Sequence, residues 1–153
     1  MSILNLNPDD DCEIVASRII NFPKTLVFRA WSEPQHLKNW WGPNGFTNTF
    51  HEFDFRVGGK WQFIMHGPEK GNYTNECEFT KIDEPSLIAW KRYSKPLFQV
   101  VATFDEIASE TTKVTFRQIF DTPEECAKIK PYVIDKNEEN LDRLEIELRQ
   151  MSL

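Results

Sequence analysis

The chain has 153 residues and a net charge of −6, and 40% of its residues are hydrophobic, with 12 Phe and 5 Trp among them. That length suits one domain burying roughly two-thirds of the surface its unfolded chain exposes, so neither a disulfide nor a metal is needed to explain folding. The acid excess argues against nucleic acid and against an anionic membrane surface, because no basic stripe is present to release counterions.

Cys12, Cys77 and Cys126 are odd in number and widely spaced, which reads as buried or half-buried thiols rather than a disulfide framework or a CxxC site. Residues 1–11 read as a polar leader without a signal-peptide apolar run, and 12–153 as a single domain. No stretch is apolar for long enough to span a membrane, and a reducing cytoplasm is the expected location.

In chain order, Cys12–Asn21 predicts a strand with Ile14, Ala16 and Ile20 on one face and Arg18 as the exception. Pro23 opens a short helix carrying Leu26, Val27, Ala30 and Trp31. Pro34 opens a second, with Leu37, Trp40 and Trp41 on its buried side. Gly42-Pro43-Asn44-Gly45 stops it. Strands follow over 46–57, 60–66, 72–82, 87–93 and 98–107, separated by Gly58-Gly59, Gly67–Gly71, Asp83-Glu84-Pro85 and Ser94–Pro96. A further strand carries Val114, Phe116 and Phe120. The short connections predict an antiparallel meander. Thr122-Pro123-Glu124-Glu125 has the form of a capping box, and Pro131 is expected to kink or restart the helix it opens. Ile134, Leu141, Leu144, Leu148 and Met151 then form an apolar stripe with Asn137 as its polar gap. A stripe that long needs a broad apolar partner, and the sheet is the candidate. The expected fold is therefore α+β: a curved antiparallel sheet of about six to seven strands gripping a long C-terminal helix, with two short helices after the first strand. Such a grip leaves room for a cavity between helix and sheet.

Several motifs carry a family resemblance. Trp40-Trp41-Gly42-Pro43-Asn44-Gly45-Phe46-Thr47 resembles the WWGPxGFT segment of the activator-of-heat-shock-protein-90-ATPase-like family, within the START-like (SRPBCC) superfamily of helix-grip, Bet v-like proteins. Phe28-Arg29-Ala30-Trp31 with Glu33–Leu37 resembles its first helical pair, Asp54–Trp61 its DxRxGGxW stretch, Met65-His66-Gly67-Pro68 its MHGP turn, and Asn140–Leu144 its LxRL pattern. The resemblance spans residues 12–150. Tyr132-Val133-Ile134 departs from it, standing where the family often carries a Gly-Trp pair in the loop before its last helix. The resemblance implies the fold more strongly than a function, since the motifs are turn glycines, caps and core aromatics.

No nucleophile with an evident base, phosphate loop or dinucleotide fingerprint is visible, and His36, His51 and His66 lack metal-ligand spacing. No catalytic residue, cofactor or metal is assigned. His66 at a strand end is able to act as acid or base, or to fix the turn. Asp54, Arg56, Glu76 and Glu78 lie in predicted strands, where an inward charge would orient a ligand and an outward one would pair across strands. The expected pocket is formed by Trp41, Phe50, Phe63, Met65, His66, Glu76, Phe79, Trp90, Phe104, Phe116, Leu141 and Leu144. Three functions follow from different premises. A binding module would hold an apolar or aromatic small molecule in that pocket. An enzyme of the cyclase or hydrolase type would need polar residues converging there, such as His66 with Glu76 or Arg56. A chaperone-associated regulator would act through its surface around a filled interior. Homodimer formation is compatible with all three.

Overall fold

β-branched and aromatic residues in alternation give the strands, and each break falls at a turn signal. The computed structural model describes residues 12–153, and the leader assigned to residues 1–11 lies outside the described residues. In chain order the elements are β1 (Glu13–Ile20), α1 (Lys24–Ser32), α2 (Pro34–Trp40), β2 (Thr47–Phe53), β3 (Lys60–His66), β4 (Asn72–Asp83), β5 (Leu87–Arg92), β6 (Gln99–Ala108), β7 (Thr111–Ile119) and α3 (Pro123–Met151).

The seven strands form one antiparallel sheet in the order β1-β7-β6-β5-β4-β3-β2. Consecutive strands pair as hairpins from β2 to β7, and β1 closes onto β7 at the far edge. This is the expected helix-grip arrangement, with α3 held against the curved inner face. The register builds rows of inward side chains. Ile88, Ala102, Phe116 and Ala16 align across β5, β6, β7 and β1, and all are buried. β2 ends earlier than expected, at Phe53; a bulge between Phe50 and Glu52 shifts its register, and pairing resumes through Phe53 before the backbone bonds Arg56 N to Asp54 O and Gly59 N to Arg56 O turn the chain. The chain then turns through residues 54–59.

α1 and α2 close one end of the sheet. Trp31 packs edge-on against Trp40 at 4.8 Å and against Phe104 at 5.6 Å, and Phe28 meets Phe104 at 5.8 Å. Trp31, Trp40, Leu37 and Val27 are fully buried, so this end is filled.

α3 starts at Thr122, whose hydroxyl accepts from the Glu125 amide at 3.1 Å, as the capping box requires. Pro131 does not restart it: the helix runs unbroken for 29 residues. The carbonyl that Pro131 leaves without an amide partner belongs to Ala127, and both residues are exposed. The inward stripe also differs from the expected one. Ile134 is 46% exposed, and Val133, four residues before Asn137, takes the inward position instead. Tyr132, Val133 and Ile134 lie within α3, not in a loop before it. Arg18 of β1 ties the helix to the sheet edge by donating to Asp142 at 2.7 Å, Glu138 at 2.9 Å and Glu145 at 3.0 Å. Burial opposes its charge, but these three carboxylates outweigh burial and raise its pKa above the ordinary range.

Candidate functional site

At the end away from α1, the sheet and α3 stand apart around a cavity of about 390 Å³. One wall comes from the inner faces of β3 to β7: Phe63, Met65, Asn75, Cys77, Trp90, Arg92, Val100, Phe116 and Gln118. The opposite wall is the N-terminal half of α3, with Ile129, Val133, Asn137 and Asn140. The loop after α2 supplies Trp41, Gly42 and Pro43. The floor side chains are buried, whereas Tyr73, Pro96, Tyr132 and Lys136 form an exposed rim, with Tyr132 72% accessible.

The loop wall is fixed by α3. Arg143 donates through Nη1 to the carbonyls of Gly42 at 2.8 Å, Pro43 at 2.9 Å and Trp41 at 3.3 Å. Through Nη2 it reaches Phe46 O at 2.9 Å and Asn39 O at 3.0 Å. Asn140 Oδ1 accepts from the Gly42 amide at 3.0 Å, and Glu139 Oε1 from the Asn44 amide at 3.0 Å. Gly42 has φ +100°, and a Cβ there would approach Met65 Cε to 2.8 Å, so a side chain would strain the turn and crowd the cavity wall.

Polar groups enter the apolar wall at definite places in the register. Asn75 continues the row Phe50–Phe63 across β2, β3 and β4. Arg92 continues Trp61–Cys77, and Gln118 sits in the row Trp90–Val100–Gln118–Ile14. Asn75 is 2% exposed; its Nδ2 donates to Tyr73 O at 2.9 Å, and its Oδ1 accepts from Arg92 Nη1. Arg92 also donates from Nε to Ser94 O and Pro96 O and from Nη2 to Lys95 O, and its guanidinium lies 5.5 Å from the Phe98 ring centre. Asn137 Nδ2 donates to Gln118 Oε1 at 2.8 Å. Burial pushes the Cys77 thiol up to about 12, against the pull of Arg92, so the wall presents a neutral thiol near neutral pH.

Of the twelve residues expected from the sequence, Trp41, Phe63, Met65, Trp90 and Phe116 line this cavity. The other seven do not. Phe79 and Phe104 face the same side of the sheet but fill the closed end: Phe79 lies against Phe55 at 5.1 Å, and Phe104 against Phe28 and Trp31. Phe50 stacks with Phe53 at 5.7 Å in the same aromatic layer. Leu141 and Leu144 are buried under α3 in that packed core. His66 lies at the β3 end with Nε2 2.8 Å from Thr49 Oγ1 and Nδ1 2.6 Å from Asn72 Oδ1, tying three strands together outside the cavity. Glu76 is exposed on the opposite face of β4, one residue out of phase with Asn75. Arg56 is exposed and paired with Asp54 at 2.8 Å, so the trio His66, Glu76 and Arg56 does not converge. Glu78 is paired outward with Lys60 at 2.6 Å. The polar lining that sequence reasoning missed, Asn75, Arg92 and Gln118, had a readable signal: each occupies an apolar phase of its strand. Asn137 had already stood out as the gap in the helix stripe.

Among the described residues, no group of three or more His, Cys, Asp or Glu side chains comes together that could hold a metal ion. No helix among them is long and apolar enough to cross a membrane.

Comparison with known proteins gives the fold a family. The family model described as Activator of Hsp90 ATPase homolog 1-like protein matches residues 21–149. Similar solved structures include a protein from Nitrosomonas europaea with a TM-score of 0.85 at 22% identity, covering 94% of this chain and 98% of that one. A protein from Arthrobacter aurescens matches with a TM-score of 0.83 at 20% identity, covering 92% and 87%. The AHSA1 protein of Silicibacter pomeroyi matches with a TM-score of 0.73 at 17% identity, covering 91% and 99%. At these identities the likeness establishes the fold. No curated protein matches the chain.

Proposed function

We propose, for a chain that belongs to the family of Activator of Hsp90 ATPase homolog 1-like proteins, a binding function: an apolar or aromatic small molecule held between sheet and α3. The observation that carries this reading is the cavity of about 390 Å³ walled by Trp41, Phe63, Met65, Trp90, Val100 and Phe116. Pockets that enclose small ligands fall in the range of roughly 300 to 1,000 Å³, mostly apolar with a few placed polar groups. Burying one aromatic ligand face against such rings removes apolar surface at roughly 25 cal/mol per Å². Inside the exposed rim of Tyr73, Tyr132 and Lys136, the polar groups are amides, a guanidinium and a thiol held protonated. They orient a ligand by hydrogen bonds but do not exchange protons near neutral pH, which favours binding over acid–base chemistry. A regulator acting through its surface alone would have no need for this interior space.

The test is native mass spectrometry on the purified protein, followed by a thermal-shift screen of aromatic and apolar metabolites. A co-purifying mass, or a dose-dependent rise in melting temperature, is expected. Val100→Phe should abolish it by filling the cavity from a buried wall position. Binding that persists in a folded Val100→Phe protein would place the ligand elsewhere and overturn the proposal.

A further inference from the structure

The charge of the cavity is opposite to that of the protein. The chain carries 24 acidic side chains against 18 basic ones. Yet among the described residues the cavity lining includes Arg92 and Lys136 and no Asp or Glu. Lys136 sits on the exposed rim, where solvent and salt screen it. Arg92 is different. It is half-buried beside Asn75, and its hydrogen-bond partners are all neutral: three backbone carbonyls and the Asn75 side chain. No carboxylate pairs with it among the described residues.

A half-buried charge held only by neutral dipoles is a less common arrangement, because charges taken out of water are ordinarily paired. Burial pulls the Arg92 pKa below its ordinary value, as expected where no anion offsets desolvation, although a guanidinium stays charged. Its donors are also incompletely used. Of five N–H groups, Nε serves two carbonyls, and Nη1 and Nη2 each make one bond, which leaves one hydrogen on each terminal nitrogen. Across the cavity, Gln118 spends its Oε1 on Asn137, so its amide hydrogens are a second unused donor set among the described residues.

We propose that the ligand is an organic anion, an aromatic or apolar body ending in a single carboxylate or equivalent charged group, with its charged end on Arg92 and its body against Trp41, Trp90 and Phe116. This rests on the binding reading above and adds the ligand class to it. Two hydrogens on adjacent terminal nitrogens suit a carboxylate, which pairs with arginine through two oxygens. Asn75 holds the guanidinium in place, and the backbone carbonyls of residues 94–96 keep it from swinging into solvent.

A matched pair of dyes tests this: 8-anilinonaphthalene-1-sulfonate, an anion, and N-phenyl-1-naphthylamine, the same ring system without the charge. Fluorescence titration should give the anion an affinity at least about ten-fold higher, the scale of a hydrogen bond to a charged group. The anion should displace the neutral dye, as ligands of one site do. Arg92→Gln should abolish the preference, read as the ratio of the two dye affinities measured on that same variant. Arg92→Lys should restore part of it, and Lys136→Gln should leave it largely intact. Equal affinities in the unmodified protein would overturn the inference without any variant, and the cavity reading would stand on the neutral dye alone. A preference that survives Arg92→Gln, or disappears in Lys136→Gln, would also overturn it. Failure of both dyes to bind would remove the binding reading itself and this inference with it.

Discussion

Replacing Arg143 with Met should destabilise the protein by about 4 kcal/mol while leaving the apolar stem packed. The magnitude follows from the hydrogens available. Nη1 and Nη2 carry four, and they serve the five carbonyls of Asn39, Trp41, Gly42, Pro43 and Phe46, so at least one is shared. A hydrogen bond to a charged group contributes roughly 1.5–3 kcal/mol in a protected setting. The residue is partly exposed, and water replaces some of what is lost, so about 1 kcal/mol per hydrogen is the appropriate scale. For a domain of this size that corresponds to a fall in melting temperature of about 8–16 °C. Urea unfolding with an unchanged slope would separate lost stability from a changed denatured state. Arg143→Lys decides whether geometry or charge matters. A single ammonium cannot reach carbonyls spread from Asn39 to Phe46, so it should recover less than half of the loss. A loss under about 1 kcal/mol, or full recovery with Lys, would refute the clamp.

Gly59→Ala should cost more than about 3 kcal/mol, because its Cβ would fall 1.9 Å from the Asp54 carbonyl oxygen. Gly58→Ala, with φ +84° but open space, should cost only about 1 kcal/mol, and thermal melts of the two variants check the order. The Cys77 thiol should resist iodoacetamide at pH 8 in the native protein and react readily in urea, because the thiolate is the nucleophile and burial suppresses it. Since the folded pKa is raised from 9.0 to about 12, stability should be unaffected by this thiol below pH 9. It should fall as pH rises through that window, where only the unfolded chain ionises, and Cys77→Ala should flatten the slope there. Glu147 is buried and joins α3 to α2 through His36 at 2.9 Å and Asn39 at 3.2 Å, so Glu147→Ala should cost about 2 kcal/mol in urea unfolding, and a change under about 0.5 kcal/mol would show the contact to be idle.

The strands and their inward phases were legible because alternation of residues such as Trp61, Phe63 and Met65 is dictated by the pleat, and the turns by glycine and proline. Which inward residues line a cavity was not legible, because phase says which face a side chain takes and not what covers it. Phe63 and Phe104 both point inward, yet α1 brings Phe28 and Trp31 onto Phe104, while Phe63 faces the space beneath the N-terminal half of α3. Glu76 carries a charge but stands outside the phase shared by Tyr73, Cys77 and Phe79, so its neighbour Asn75 enters the cavity wall in its place. The unbroken passage of α3 through Pro131, at an exposed stretch of the helix, is not contained in helix rules alone.

The motifs that mark the family and the polar side chains facing the cavity from β4, β5, β7 and α3 are different residues with different physical duties. Trp41–Phe46 and Asn140–Arg143 are distant in sequence but form one unit, since Arg143, Asn140 and Glu139 bind the backbone of that loop. Those contacts hold a wall of the cavity in place whatever occupies it. Asn75, Arg92, Gln118 and Asn137 lie outside the motif segments and face the space directly. A chain that kept the clamp but exchanged Arg92 for a neutral side chain would keep the fold's cavity and lose its half-buried positive charge. Likeness carried by the clamp therefore speaks to the scaffold, whereas the proposed ligand rests on the four polar positions of this chain.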